Sequence, residues 1–181
     1  MNRTQKLLTL GSLVLTMWGC QSRTDKTDGG GVLLSISDFD GLPVSVSASD
    51  ADELVQVGQI TLSNIAKDPN GTTSELMNVE ISSYQVTFDR ADTGTRKPPA
   101  LINYIFGVAG VNGTYQLDNG PIMRSEQFNT QPILDLFNHG VDSETGSRVI
   151  MLRVGIRFFG RTLSGKAVES NTAQFTLEVT P

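Results

Sequence analysis

Residues 149–159 read VIMLRVGIRFF, and Ile150, Leu152, Val154, Ile156 and Phe158 fall on alternate positions with Arg153, Gly155 and Arg157 between them. A period of two places one set on a buried face and the other in water, the pattern of a half-buried β-strand. The last segment repeats it, with Ala173, Phe175, Leu177 and Val179 alternating against Thr172, Gln174, Thr176 and Glu178. Between them, Gly160-Arg161-Thr162-Leu163-Ser164-Gly165-Lys166 supplies glycines able to take positive φ, so a terminal hairpin is expected. The apolar phase slips between Val168 and Ala173, and a bulge near Ser170 and Asn171 would restore it. A second slip separates Val79 and Ile81 from Tyr84, Val86 and Phe88, which places another bulge at Ser82 and Ser83.

Working outward, shorter strands are expected at Val32–Ile36, Val44–Val46, Val55–Leu62 and Leu101–Val108. Asn70-Gly71, Asn112-Gly113 and Asn119-Gly120 are turn dipeptides, the last two bracketing a short piece from Thr114 to Asp118. Pro132–Phe137, PILDLF, fits one short helix with Ile133, Leu136 and Phe137 on one side, or a strand. No repeat at 20 to 50 residues points to a solenoid or propeller. The fold class predicted for 32–181 is all-β, an immunoglobulin-like antiparallel β-sandwich with long loops, larger than the ~100 residues of a minimal domain of that kind. The pattern V-x-I-x-x-Y-x-V-x-F from Val79 to Phe88, with F-F-G-R-x-L-x-G-K from Phe158 to Lys166, resembles uncharacterised secreted bacterial lipoproteins with an immunoglobulin or fibronectin type III-like fold. That resemblance spans residues 55–181 and implies a fold without an assigned reaction.

The N-terminus reads MNRTQKLLTLGSLVLTMWGC, where Arg3 and Lys6 precede an uncharged run from Leu7 to Trp18. This is the layout of a secretory signal peptide, and the run falls short of the roughly 20 residues a spanning helix needs. Met17-Trp18-Gly19-Cys20 resembles the lipobox of bacterial lipoproteins, although Met17 stands where leucine is usual and Trp18 where a small residue is usual. The resemblance implies cleavage between Gly19 and Cys20, a diacylglyceryl group on the Cys20 thiol and a fatty acyl chain such as palmitate on its new amine. Gln21 follows in place of aspartate, which in two-membrane envelopes implies the outer membrane.

The expected organisation is therefore a signal peptide at 1–19, a lipidated cysteine and flexible tether at 20–31, and the sandwich at 32–181. Residues 21–31, QSRTDKTDGGG, hold no apolar side chain, and a flexible chain of that length reaches about 18 Å. Cleavage would leave 12 basic and 19 acidic residues, a formal charge of −7. Anionic headgroups repel such a surface, so the acyl chains would make the membrane contact.

A formal charge of −5 with scattered Lys and Arg offers no face for a polyanion, so no nucleic-acid partner is expected. One cysteine excludes an internal disulfide framework and a multi-cysteine zinc site, and Cys20 is committed to the anchor. His139, the one histidine, lies in Asn138-His139-Gly140 at a loop end with no G-x-S-x-G elbow to support a nucleophile. Acids recur at Asp38 and Asp40, at Asp50, Asp52 and Glu53, and at Asp89 and Asp92. Such carboxylates could join carbonyls around calcium, but the spacing of an EF-hand is absent and turn chemistry is favoured. Gly107, Gly110 and Gly113 fit a strand end and turn better than a phosphate loop. Arg153 and Arg157, about 13 Å apart along a strand, would pair with cross-strand acids or receive an acidic partner.

No catalytic residue, metal ligand or cofactor is assigned. The expected function is a lipid-anchored, noncatalytic binding or structural domain of the cell envelope, working through loops or an exposed strand edge on a protein or polysaccharide. The alternatives are an envelope hydrolase with a loop-built site and a calcium-stabilised adhesion module.

Overall fold

The computed structural model describes residues 30–50 and 54–181. Gly19, Cys20 and most of the tether, with Asp52 and Glu53, lie outside them, as does the signal peptide. Among the described residues the strands are β1 (Val32–Asp40), β2 (Ser45–Ser47), β3 (Val55–Ala66), β4 (Val79–Arg90), β5 (Leu101–Ala109), β6 (Gly113–Met123), β7 (Ile150–Thr162), β8 (Ala167–Glu169) and β9 (Ala173–Thr180). Two short helices, α1 (Ser125–Phe128) and α2 (Ile133–His139), separate β6 from β7.

The strands form two sheets, β1-β3-β6 and β2-β9-β7-β4-β5, with β8 added beside β7. Their inner faces meet in a core built on Tyr84, Phe88, Phe128, Phe158 and the aliphatic alternates of β1, β3, β4 and β7. Ile150, Leu152, Val154, Ile156 and Phe158 are all fully buried, whereas Arg153 and Arg157 are exposed. Burying each such apolar side chain contributes about 1.5–3 kcal/mol, so the alternation along β7 is enough to choose its face. The Tyr84 and Phe158 rings stack across β4 and β7 with centroids 5.1 Å apart. This is the immunoglobulin-like sandwich expected of an alternating all-β chain.

Both expected bulges are present. The β4 register slips between Ile81 and Ser83 against both neighbours. After β8 the ladder breaks until Ala173 meets Ile156, and Ser170 fills the gap: its Oγ accepts from the Phe158 N–H at 3.0 Å and its own N–H donates to the Phe158 carbonyl at 2.9 Å. The hairpin turn is tighter than the Gly160–Lys166 loop, because β7 continues to Thr162 and Gly165, with φ +88, closes the reversal onto the Thr162 carbonyl.

Other expectations are corrected. The sheet is not wholly antiparallel, since the chain crosses sheets between Asp40 and Ser45 and β2 joins β9 in parallel. Gly41 permits the crossing: it takes φ +63, and a Cβ there would lie 3.0 Å from the Gly58 backbone. Asn119-Gly120 does not end a strand, because Asn119 takes φ +51 within β6 and pairing resumes at once, Gly120 with Val57 and Pro121 with Gln56. Asparagine tolerates that conformation, and the fully buried Ile122 and Met123 reward continuing the strand. Of the two forms expected for PILDLF the helix is the one present, with Ile133 and Leu136 buried but Phe137 exposed, ended by Gly140 at φ +69. His139 is accordingly its last residue.

The two ends of the sandwich differ. Gly30 lies against Thr162 and Lys166, so the described chain begins at the end formed by the β3–β4, β5–β6 and β7–β8 connections. The opposite end carries residues 91–100 and 124–149, including both helices.

Candidate functional site: the outer face of an edge strand

β5 is the last strand of the larger sheet and pairs with β4 on one side only. Leu101, Asn103 and Ala109 point into the core. Ile102, Tyr104, Phe106 and Val108 point out, at 54%, 87%, 76% and 45% exposure. Elsewhere Leu76, Phe137 and Leu163 stand on turns or helices and Leu33 and Ile65 form one exposed pair across β1 and β3, whereas these four form a row along a single strand. Scattered exposed leucines need no explanation, but a contiguous aromatic and aliphatic row does.

The surroundings carry almost no charge. Residues 98–117 contain neither acid nor base. On β4 the outward neighbours are Gln85 beside Ile102, Ser83 beside Tyr104, and Glu80 beside Val108. Edge strands are commonly protected by lysine or other charge, and β5 has none of its own. A bulge is present, with Ile105 and Phe106 together opposing Ser82.

The strand is held in place from beneath. Asn103 Nδ2 donates to the Pro121 carbonyl at 3.0 Å, and its Oδ1 accepts from Arg124 at 2.6 Å. The Tyr84 hydroxyl donates to the same Pro121 carbonyl at 2.8 Å, and burial pushes its phenol pKa up despite the opposing pull of Arg124. At the other end Asn64 Nδ2 donates to the Ala109 and Met77 carbonyls, each at 3.0 Å. Gly107 is required for packing, because a Cβ there would lie 2.2 Å from the Tyr115 ring. The outward row is thus preorganised, which lowers the entropy a partner must overcome on binding.

At the far end of the sandwich lies a second unusual group. Arg90, only 3% exposed in its side chain, holds Asp92 bidentately at 2.7 and 2.9 Å and the fully buried Asp142 at 2.8 Å. Asp142 also accepts from Thr145 Oγ1 and the Glu144 N–H, while Asp92 accepts from the N–H groups of Gly94 and Met151. Burial alone would raise both carboxyls, but the Arg90 guanidinium and these donors hold them below the usual aspartate value. Glu144 accepts from the N–H groups of Arg96 and Thr95 and from Thr95 Oγ1, which hold its carboxyl low too. A Cβ on Gly94 would strike the guanidinium at 2.2 Å. The group ties loop 91–97 to loop 142–147 and leaves no reactive atom unpaired.

The residues singled out from sequence are dispersed. Cys20 and Gly19 fall outside the described residues. His139 is exposed, its Nδ1 3.3 Å from the Asp135 carbonyl of its own helix. Asp89 and Asp92 do not act together: Asp89 pairs with Lys97 at 2.7 Å and Asp92 with Arg90. Asp38, Asp40 and Asp50 accept from nearby N–H groups, those of Phe39, Gly41 and Ser47. Among the described residues no cluster of three His, Cys, Asp or Glu side chains is arranged to hold a metal ion. Gly107 to Gly113 is a strand end and turn, with Asn112 at φ +56. Arg157 meets Glu169 at 3.5 Å across β8, while Arg153 faces Asp89, whose carboxylate is engaged by Lys97.

A cleft of about 470 Å³ between β1 and β8 is lined by Val32, Leu34, Phe159, Val168 and Ser170 among others. Asn171 at its rim accepts from the Ile36 N–H at 2.7 Å, so its side-chain oxygen serves the fold. Neither protein-family models nor curated protein sequences yield a match to this chain.

Proposed function

We propose that this is a lipid-anchored protein of the bacterial envelope, held in the outer membrane through Cys20, whose immunoglobulin-like domain acts without catalysis by presenting the outer face of β5 to a partner. The observation that carries the binding role is the row Ile102, Tyr104, Phe106 and Val108, exposed on a pinned and uncharged edge strand. Aromatic residues of this kind dominate the centres of binding surfaces because they bring large area at low entropy cost. The anchor rests on the lipobox-like Met17–Cys20. No helix among the described residues is long and apolar enough to cross a membrane.

Two measurements test the reading. Mass spectrometry of protein from its own cells should show Cys20 as the acylated first residue; a free thiol there removes the anchor. A photocrosslinking amino acid at position 104 should give a discrete adduct in living cells, lost when Phe106→Asp is added. The same group at exposed position 153 should give none. Equal adducts at 104 and 153 would remove β5 as the binding face.

A further inference from the structure

We propose that the partner of β5 is β5 of a second copy of this chain, paired antiparallel about a two-fold axis at Ile105. This rests on the reading of β5 as a binding face and names what it binds. Three observations select the second copy.

The first is the order of side chains along the row. Ile102, Tyr104, Phe106 and Val108 run β-branched, aromatic, aromatic, β-branched. A two-fold axis at Ile105 sets Tyr104 of each copy against Phe106 of the other, and Ile102 against Val108. Aromatic pairs and β-branched pairs are the favourable cross-strand combinations, and a two-fold interface requires that each residue find its match in this reciprocal way.

The second is charge. Two copies of a chain with formal charge −5 repel in general. The stretch 98–117 carries no charge, so approach along β5 is where that repulsion is weakest. A charged partner strand would instead leave its charges desolvated over apolar side chains.

The third is the free edge. Pairing along it continues the sheet, so each outward side chain meets its match across the seam at its flank while its outer surface stays in water, and the aromatic and β-branched cross-strand contacts are what the row contributes. Among the described strands none occupies the free backbone edge of β5, so ladder hydrogen bonds add to this. The bulge at Ile105 and Phe106 limits the seam to a short one, because bulges turn an edge away from extended pairing. The outward alternation of the four side chains survives it.

The test uses the full lipid-anchored protein in detergent, and the chain with no added cysteine, whose Cys20 is its one native cysteine, serves as the crosslinking control. Tyr104→Cys and Phe106→Cys copies are oxidised mildly, separately and mixed. The proposed axis opposes 104 with 106 of the other copy, while like positions lie on the diagonal at ~7–8 Å, beyond ordinary disulfide reach. The mixture should therefore give about tenfold more disulfide-linked dimer than either alone. In parallel, sedimentation of the otherwise unaltered chain should show a concentration-dependent dimer that Phe106→Asp removes, its melting temperature matching that of the dilute, monomeric wild type. Tyr104→Ser serves if that variant does not fold. Equal crosslinking in mixed and separate samples, or a chain monomeric at every concentration, overturns the proposal. If position 104 still gives an adduct with a different protein in cells, a polysaccharide or a lipid, the binding face stands and the second copy falls. If it gives none, both fall.

Discussion

The β5 face and the Arg90 group invert the usual rule in opposite directions. One puts aromatic side chains in water, the other puts charges inside. They also differ in closure. Around Arg90 every charge meets an opposite charge or a backbone donor within the chain, down to Gly94, whose missing side chain makes room for the guanidinium. On β5 the inward Asn103 is satisfied, but among the described strands none pairs with its outer edge and nothing covers Tyr104 or Phe106. The closed inversion belongs to the fold, and the open one is the face we propose for a partner.

The largest effect is expected from opening the closed group. Arg90→Leu should cost about 3–5 kcal/mol in urea unfolding, because it strands the buried Asp142 without its partner. A cost under 1 kcal/mol would show that the group is not holding the loops. Next comes the packing beneath β5. Gly107→Ala forces a Cβ into the Tyr115 ring and should cost about 1–3 kcal/mol, with part recovered on adding Tyr115→Ala. An additive double variant would contradict that contact.

A smaller effect separates the regions by pH. Asp92 and Asp142 have folded values below the ordinary 3.8. Their contribution is complete above that value and is lost as pH falls through it toward the folded values. The melting temperature should drop more steeply below about pH 4 in the wild type than in Asp92→Asn. Parallel curves would remove the titration from the account. The smallest stability effect is expected on the open face, where Tyr104→Ser should change unfolding free energy by under about 0.5 kcal/mol while reducing partner capture.

The alternating strands β7 and β9 were legible because only one face of each is apolar, and the bulges at Ser82 and Ser170 were legible as slips of that alternation. β5 was legible as a strand but not as an edge. Its two faces, Leu101, Asn103, Ile105 and Gly107 against Ile102, Tyr104, Phe106 and Val108, are both largely apolar, so a period of two assigns neither to solvent. Such a strand reads like a buried central one, and only the sheet order shows otherwise. The Arg90 group was invisible for another reason. Asp142 lies 52 residues away in sequence, and the nearby Asp89 and Asp92 suggested a carboxylate pair that the turn after β4 divides between Lys97 and Arg90. The run at Asn119-Gly120 misled because turn propensity is local, whereas the burial of Ile122 and Met123 that extends the strand is not.

We propose the β5 row for a partner and not for the fold. Phe106→Asp measured in the same cells for both melting and the position-104 adduct tests it most directly. A melting temperature within a few degrees of the wild type is expected, together with loss of the adduct. A persistent adduct, or destabilisation as deep as that of Arg90→Leu, would contradict it.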